Sequence, residues 1–468
     1  MNKYYFFGKK YYPSGRALAL KIARHHVNRE FNDTDDHQQN AVMNEYMLAF
    51  DMTNKLLLKL GAETDQEKLR KLSLKMFSQK SPRLVAVLVA VYFKNADESR
   101  GIPDSLTRSR AYKLAKACSC LRKTHEPYER VVINRVGKPA RTTWKFGIVR
   151  YSQQLLASWL MLAQRKLPGY DYFLPSDNPW KRSRGGHHAA AEAIGRGLEA
   201  GFQFWATFDI KHAYSSISRD IVRSLFTMDR NILRYVVHPV LQDDCPGHRG
   251  NTSNQKASQS QLPQGSAHAW IILSALIDEV LLDNPRRTHQ LRLVVYADNV
   301  AVGAHYLQTA ISALRSIEAK LSARSVENGP AAGKLILHQK IISDGFQRRD
   351  YSGPGLLDGI DCYNSVDFCG YRIRFDIPDG EVKFAPSGEA WSRFWKGVQR
   401  DFLNSEFEVE DFEAFHSLVL FRYARWSKSF SLWQHQKESE ELVGTLAFEK
   451  HNELVSARRH HREHSSVI

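Results

Sequence analysis

Two aspartates carry the chemistry this sequence can do. Asp209 stands at the end of FQFWATFDIKHAYSSIS, where Phe202, Phe204, Ala206 and Phe208 alternate with Gln203, Trp205 and Thr207. That period of two predicts a strand with one apolar face and a carboxylate delivered at its end. Asp298 stands in LRLVVYADNVAVGA, two β-rich runs separated by Ala297, Asp298 and Asn299. Asx residues between two such runs predict a hairpin tip that displays Asp298. Alone, each aspartate reads as a turn or cap residue. Together on neighbouring strands they could hold two Mg²⁺ ions about 3.5–4 Å apart, the spacing that stabilises attacking and leaving oxygens in phosphoryl transfer.

Between the two lies LPQGSAHAWIILSALIDEVL. Pro263 and Gly265 predict a turn, with Gly265 allowing close backbone approach to a ligand, and Leu273, Leu276, Ile277 and Val280 follow at i, i+3, i+4 and i+7 of a helix.

The order FDIKHAY, LPQG, YADN resembles the reverse transcriptases, whose palm motifs run strand aspartate, Leu-Pro-Gln-Gly turn and Tyr-x-Asp-Asp hairpin. The resemblance spans roughly residues 125 to 375 and implies an α+β fold: a right-hand polymerase with fingers, palm and helical thumb, plus an N-terminal helical region. It implies Asp209 and Asp298 as catalytic metal ligands, the Ile210 carbonyl as a third, and Gln264 and Gly265 at the nucleotide and template. Tyr214 would form the aromatic floor under the sugar, excluding a 2′-hydroxyl and favouring deoxynucleotides. KLILHQKIISDG resembles the motif whose lysine lies near the triphosphate, which assigns Lys340. RVGKPARTT resembles the basic fingers hairpin, which assigns Lys138 and Arg141, and FCGYRIR resembles the primer grip, which assigns Phe368, Gly370 and Tyr371. Asn299 departs from the family's second aspartate. It keeps a carbonyl acceptor and loses a negative charge, so it is a weaker metal partner. The implied cofactor is a pair of Mg²⁺ ions, with Mn²⁺ as a substitute.

The elements that must position these groups divide the chain into four expected regions: an N-terminal helical region at 1–110, fingers at 111–200, palm at 201–385 and a helical thumb with a basic tail at 386–468. In the first, Thr64 with Glu67 reads as a capping box ahead of Leu69, Leu72 and Met76. RLVAVLVAVYF reads equally as helix or strand. In the second, VVINRVGKPARTTWKFGIVRYSQQLLASWLML reads as strands followed by a helix, with Gly137 and Pro139 at a hairpin turn. The polar stretch 242–261 predicts a mobile loop, since it has little apolar surface to offset the entropy of ordering. Trp391, Trp395, Trp426 and Trp433 read first as thumb core, and His460, His461 and His464 as a flexible basic tail touching phosphates.

Composition narrows the partners. The chain has 468 residues, 43% hydrophobic and 25% charged, with 66 Lys and Arg against 50 Asp and Glu, a net charge of +16. That balance excludes a disordered chain and favours a polyanionic partner. No apolar run reaches the roughly 20 residues of a spanning helix, so no membrane partner and a cytoplasmic location are expected. The five cysteines form no CxxC pair, which argues for reduced thiols. With no nuclease or integrase motif in view, the resemblance points to a retron-like or defence-associated enzyme. Its expected partners are a structured non-coding RNA template, the DNA product and dNTPs, with a homo-oligomer or a partner protein left open. The alternatives are a catalytically silent RNA-binding scaffold and a group II intron-type maturase.

Overall fold

The computed structural model describes residues 15–31, 36–93, 106–121, 129–135, 138–165, 176–177, 186–202, 204–211, 213–214, 217–239, 262–263, 265–282, 291–296, 298–306, 308–310, 312–313, 316, 320, 336–342, 365–376, 380–405, 408, 411–433 and 438–465. Among them helix and sheet are mixed and helix predominates. No helix among the described residues is long and apolar enough to cross a membrane.

The N-terminal part is helical: α1 (Gly15–Glu30), α2 (Asp36–Ala62), α3 (Gln66–Ser78), α4 (Lys80–Phe93) and α5 (Arg108–Ala117). The ambiguous RLVAVLVAVYF run is α4, buried from Leu84 to Val91. An apolar run covered on every side carries no periodicity for sequence reading to use. The expected cap of α3 is corrected by one residue: Asp65, not Thr64, is the N-cap and accepts from the Lys68 amide, while the Thr64 amide donates to Glu63. A carboxylate one residue nearer the free amides displaces the hydroxyl.

Strands β1 (Glu129–Arg135) and β2 (Lys138–Lys145) form an antiparallel hairpin, and α6 (Ile148–Gln164) follows directly. Gly137 lies outside the described residues, whereas Pro139, expected at the turn, lies inside β2. Both strands of a two-strand ribbon are edge strands, where a proline is tolerated.

A five-stranded sheet follows in the order β3 (Ser176–Asp177), β5 (Leu291–Tyr296), β6 (Asn299–Ala304), β4 (Phe204–Lys211), β7 (Ile336–Ile342). It separates two cores. Leu293, Val295, Val300 and Val302 pack into the first, together with α1 to α6 and α9 (Ala269–Leu282). Trp205, Val294 and Ala301 pack into the second, formed with α7 (Gly186–Glu199), β8 (Ser365–Phe368), β9 (Tyr371–Asp376), β10 (Glu381–Pro386), α10 (Gly388–Leu403), α11 (Phe412–Trp426) and α12 (Glu438–Ser465). After β4 come α8 (Arg219–Leu225) and a short helical turn at Arg230–Ile232 that runs into a π-helical turn at Leu233–Val237.

This double coverage corrects the expectation that only one face of the Asp209 strand is apolar. Trp205 is 1% exposed and Thr207 7%. Helix α7 packs on Trp205, and glycine makes room on both sides of the ring: a Cβ on Gly197 of α7 would lie 2.6 Å from it, and one on Gly303 of β6 2.7 Å.

The tail also differs from expectation. The backbone is helical to Ser465, so His460, His461 and His464 lie on α12; their side chains, like the stretch 242–261, fall outside the described residues. Of the cysteines, Cys118, Cys120 and Cys369 are reduced, and the other two lie outside the described residues.

Candidate active site

The ladder brings the two aspartates together. In the β4–β6 register Asp209 is the partner of Asn299, and in the β5–β6 register Asn299 is the partner of Tyr296. Asp298 therefore occupies the two-residue tip, one position from the residue that faces Asp209 across the sheet. Strand β4 has a neighbour on each side, because β7 pairs with it too: His338 is the partner of Asp209, and Lys340 of Thr207. Lys340 is thus placed on the strand next to Asp209, two ladder positions away. The side chains of Asp209, Ile210, His338 and Lys340 lie outside the described set, as do those of Lys138 and Arg141 on β2 and the whole of Gln264.

The tip has a defined polar arrangement. Asn299 Nδ2 donates to Asp298 Oδ1 at 3.3 Å and to the Tyr296 carbonyl at 3.4 Å. Both side chains are half-buried. The amide donates to the carboxylate at the position where the family's second aspartate would repel it. The Tyr296 phenol is pushed above its ordinary range, first by burial and then by Cys369 and Asp298 nearby, so it stays a neutral hydroxyl. The donor chemistry, two carboxylates with backbone carbonyls, fits a hard divalent cation. Among residues with described side chains, no three His, Cys, Asp or Glu gather into a metal-holding group.

The Leu-Pro-Gln-Gly turn is folded as its sequence predicts. Leu262 and Pro263 are buried, and Gly265 has φ +95°, a conformation that favours glycine. Its hydrogen points at the β2 backbone: a Cβ there would lie 2.8 Å from Thr143 Oγ1 and 3.4 Å from the Trp144 carbonyl. The turn therefore packs directly against the strand that carries Arg141. Helix α9 begins at Ala269 and buries Leu273, Leu276 and Ile277; the side chain of Val280 is outside the described set. Tyr214 is half-buried and packs on the first core just beyond β4.

The FCGYRIR hairpin, β8 to β9, turns at Cys369 and Gly370, both with positive φ. Phe368 is 4% exposed and Tyr371 fully buried, its phenol 2.6 Å from His188 Nδ1. Burial pushes the Tyr371 hydroxyl up to about 12. Phe368 and Tyr371 thus anchor the hairpin in the second core, and the turn residues face a cleft.

Sequence reading missed that cleft. It has a volume of about 630 Å³, and among its lining residues are His187, Gly370, Arg393, Arg422, Arg425 and Trp426. Arg422 pairs with Asp401, and its guanidinium is held below its ordinary range by burial first and by Arg400 and Arg425 beside it. His187 Nε2 meets the Ser429 carbonyl at 3.0 Å, and its ring lies 6.4 Å from Tyr296, which links the cleft to the aspartate hairpin. The one local signal was FRYARW, where Phe421, Arg422, Arg425 and Trp426 fall on one helical face. Trp391, Trp426 and Trp433 pack together, with Trp391 and Trp426 centroids 4.6 Å apart: Trp433 is core, while Trp391, Trp395 and Trp426 lie half-buried on it. No protein-family model matches the chain, and no curated protein matches it in sequence.

Proposed function

We propose that this chain is an RNA-directed DNA polymerase of the reverse-transcriptase type. The observation that carries the reading is the ladder register that sets Asp209 opposite Asn299, beside Asp298 at the hairpin tip. In this reading the five-stranded sheet is the palm, the β1–β2 hairpin and α6 belong to the fingers, and α10 to α12 form the thumb. Asp209, the Ile210 carbonyl and Asp298 would hold two Mg²⁺ ions, which supply a charge clamp on the attacking and leaving oxygens of nucleotidyl transfer.

The chain's own residues do the rest. Gly265 lets the turn bearing Gln264 sit against β2, so the nucleotide-facing turn and the basic hairpin form one wall. Tyr214 fills the space beside the end of β4 and leaves no room for a 2′-hydroxyl. The β8–β9 turn and the arginines of the cleft offer a track for a polyanionic strand, in keeping with the net charge of +16. The template we assign is a structured non-coding RNA, and the biological setting bacterial antiphage defence; both rest on the resemblance of the motifs.

A catalytically silent RNA-binding scaffold is the second reading, favoured by the Asn299 amide that already satisfies Asp298. Labelled dNTP incorporation on the nucleic acid that co-purifies with the protein separates the two. Asp209→Asn and Asp298→Asn should each lower incorporation by at least a hundredfold with RNA binding intact, since a lost metal ligand removes several kcal/mol of charge stabilisation and 1.36 kcal/mol is about tenfold. Near-normal incorporation by either variant refutes the site, and no incorporation by the wild type with Mg²⁺ or Mn²⁺ favours the scaffold.

A further inference from the structure

We propose that Gln154, on α6, is a positioning residue that holds the Leu-Pro-Gln-Gly turn in register with the β1–β2 hairpin and thereby sets the affinity for the incoming nucleotide. The proposal rests on the polymerase reading and deepens it.

Helix α6 is buried from Ile148 to Ala163 and still carries Arg150, Gln153 and Gln154 in its covered surface. An amide in such a place costs free energy unless it is used, and a leucine would fill the space without that cost. Gln154 is 1% exposed; its Oε1 accepts the Ala267 amide at 3.3 Å, and its Nε2 meets no partner among the described residues, so the oxygen is the half of the amide that is used. Ala267 lies in the turn two residues before α9, ahead of the intrahelical bonding that starts from the His268 carbonyl. The side chain thus supplies the acceptor that the backbone geometry withholds.

Two further contacts close a ring around the turn. His268 Nε2 donates to the Val237 carbonyl at 2.9 Å, which fixes the neighbouring residue of the same turn to the π-helical segment. Arg150 Nη1 donates to the Tyr235 carbonyl at 3.0 Å, fixing that segment back to α6. From the opposite side Thr143 and Trp144 of β2 press on Gly265. Since β2 runs into α6 through Gly147, one rigid helix carries both the strand bearing Arg141 and the acceptor for the turn bearing Gln264. Gln153 ties the same helix to the end of α5 by donating to the Cys118 and Cys120 carbonyls at 3.1 and 3.0 Å. Losing the Gln154 contact frees the turn without removing any group proposed to touch metal or nucleic acid.

The test uses the full-length protein. Gln154→Met keeps the length and removes the acceptor, Gln154→Glu keeps an acceptor oxygen, and Gln154→Asn withdraws the amide by one methylene should the Met variant not fold. One hydrogen bond is worth roughly a three- to tenfold effect. Hydrogen exchange at the Ala267 amide should therefore quicken about three- to tenfold in Gln154→Met and return toward wild type in Gln154→Glu. KM for dNTP should rise by the same factor in Gln154→Met, with kcat and template-primer affinity within about twofold, and Gln154→Glu should restore it. A merely structural role would lower the active fraction, and so kcat, with KM unchanged. Unchanged exchange overturns the clamp, and faster exchange with unchanged KM overturns its role in nucleotide positioning. A wild type that incorporates nothing refutes the polymerase reading and with it the nucleotide role, while the exchange result still decides whether Gln154 holds the turn.

Discussion

Replacing Asn299 with aspartate restores the Tyr-x-Asp-Asp pattern, and the structure gives the sign of its effect with and without metal. Asn299 Nδ2 now donates to Asp298 Oδ1 at 3.3 Å. In Asn299→Asp that contact becomes carboxylate against carboxylate. At an effective dielectric of 20, two unit charges about 4 Å apart repel by about 4 kcal/mol. Both groups are half-exposed, so solvent screening and side-chain rotation reduce this to about 1–2 kcal/mol. Unfolding entropy of about 2.1 cal/mol/K per residue gives about 1 kcal/mol/K for 468 residues, so the metal-free protein should melt about 1–2 °C lower. Under the polymerase reading divalent cations should reverse the sign, because the second carboxylate would become a ligand and relieve the repulsion. A tenfold tighter site adds about 1.4 kcal/mol at saturating ion. The assay is thermal melting in EDTA and across a Mg²⁺ titration for wild type, Asn299→Asp and Asn299→Ala, the last losing the donor without gaining charge. Asn299→Asp alone should show both the lower metal-free Tm and the larger Mg²⁺-induced rise, and its incorporation should need less Mg²⁺. An unchanged metal-free Tm together with an unchanged Mg²⁺ response would refute the claim that Asn299 tunes a cation site.

Other outcomes can be measured independently. Under the polymerase reading Tyr214→Ala should raise ribonucleotide incorporation relative to dNTP; an unchanged dNTP to NTP selectivity makes Tyr214 a core aromatic only. Gly303→Ala drives a Cβ to within 2.7 Å of the Trp205 ring and should cost about 1–3 kcal/mol in chemical denaturation, with Trp205→Phe recovering part of it in a double-mutant cycle; additive losses would show that the two do not touch. His26, His238 and His268 are each buried, bonded to a backbone carbonyl and lowered by burial to about 4, so they are neutral when folded and charge at about 6.5 when unfolded. Their stabilising share is complete above pH 6.5 and falls as pH drops toward 4, by about 2 kcal/mol each at pH 5. Denaturation midpoints that stay flat from pH 7 to 5 contradict this, and His268→Gln should shallow the slope.

What the sequence determined by itself was local. The period-two run into Asp209, the Asx tip of the β5–β6 hairpin, the turn at Gly265 and the helical spacing in α9 were legible because side-chain periodicity and turn chemistry act within a few residues. The order of those motifs pointed to the two aspartates as one site. Only the tertiary structure decided what lies across from them. The coverage of Trp205 depends on α7 approaching over Gly197 and on the room that Gly303 of β6 leaves for its ring, and no alternation within β4 encodes either neighbour. The cap of α3 at Asp65 turned on a one-residue choice between two residues that both favour that position. The cleft joins His187, Gly370, Arg393 and Arg422 from four separate segments, each an ordinary polar or turn residue where it stands. Gln154 reads in sequence as one more glutamine in a helix, and it gains a role because folding sets a backbone amide 113 positions away against it where water cannot reach. Periodicity records which face of an element is buried; which atoms meet there is set by packing between elements that are distant along the chain.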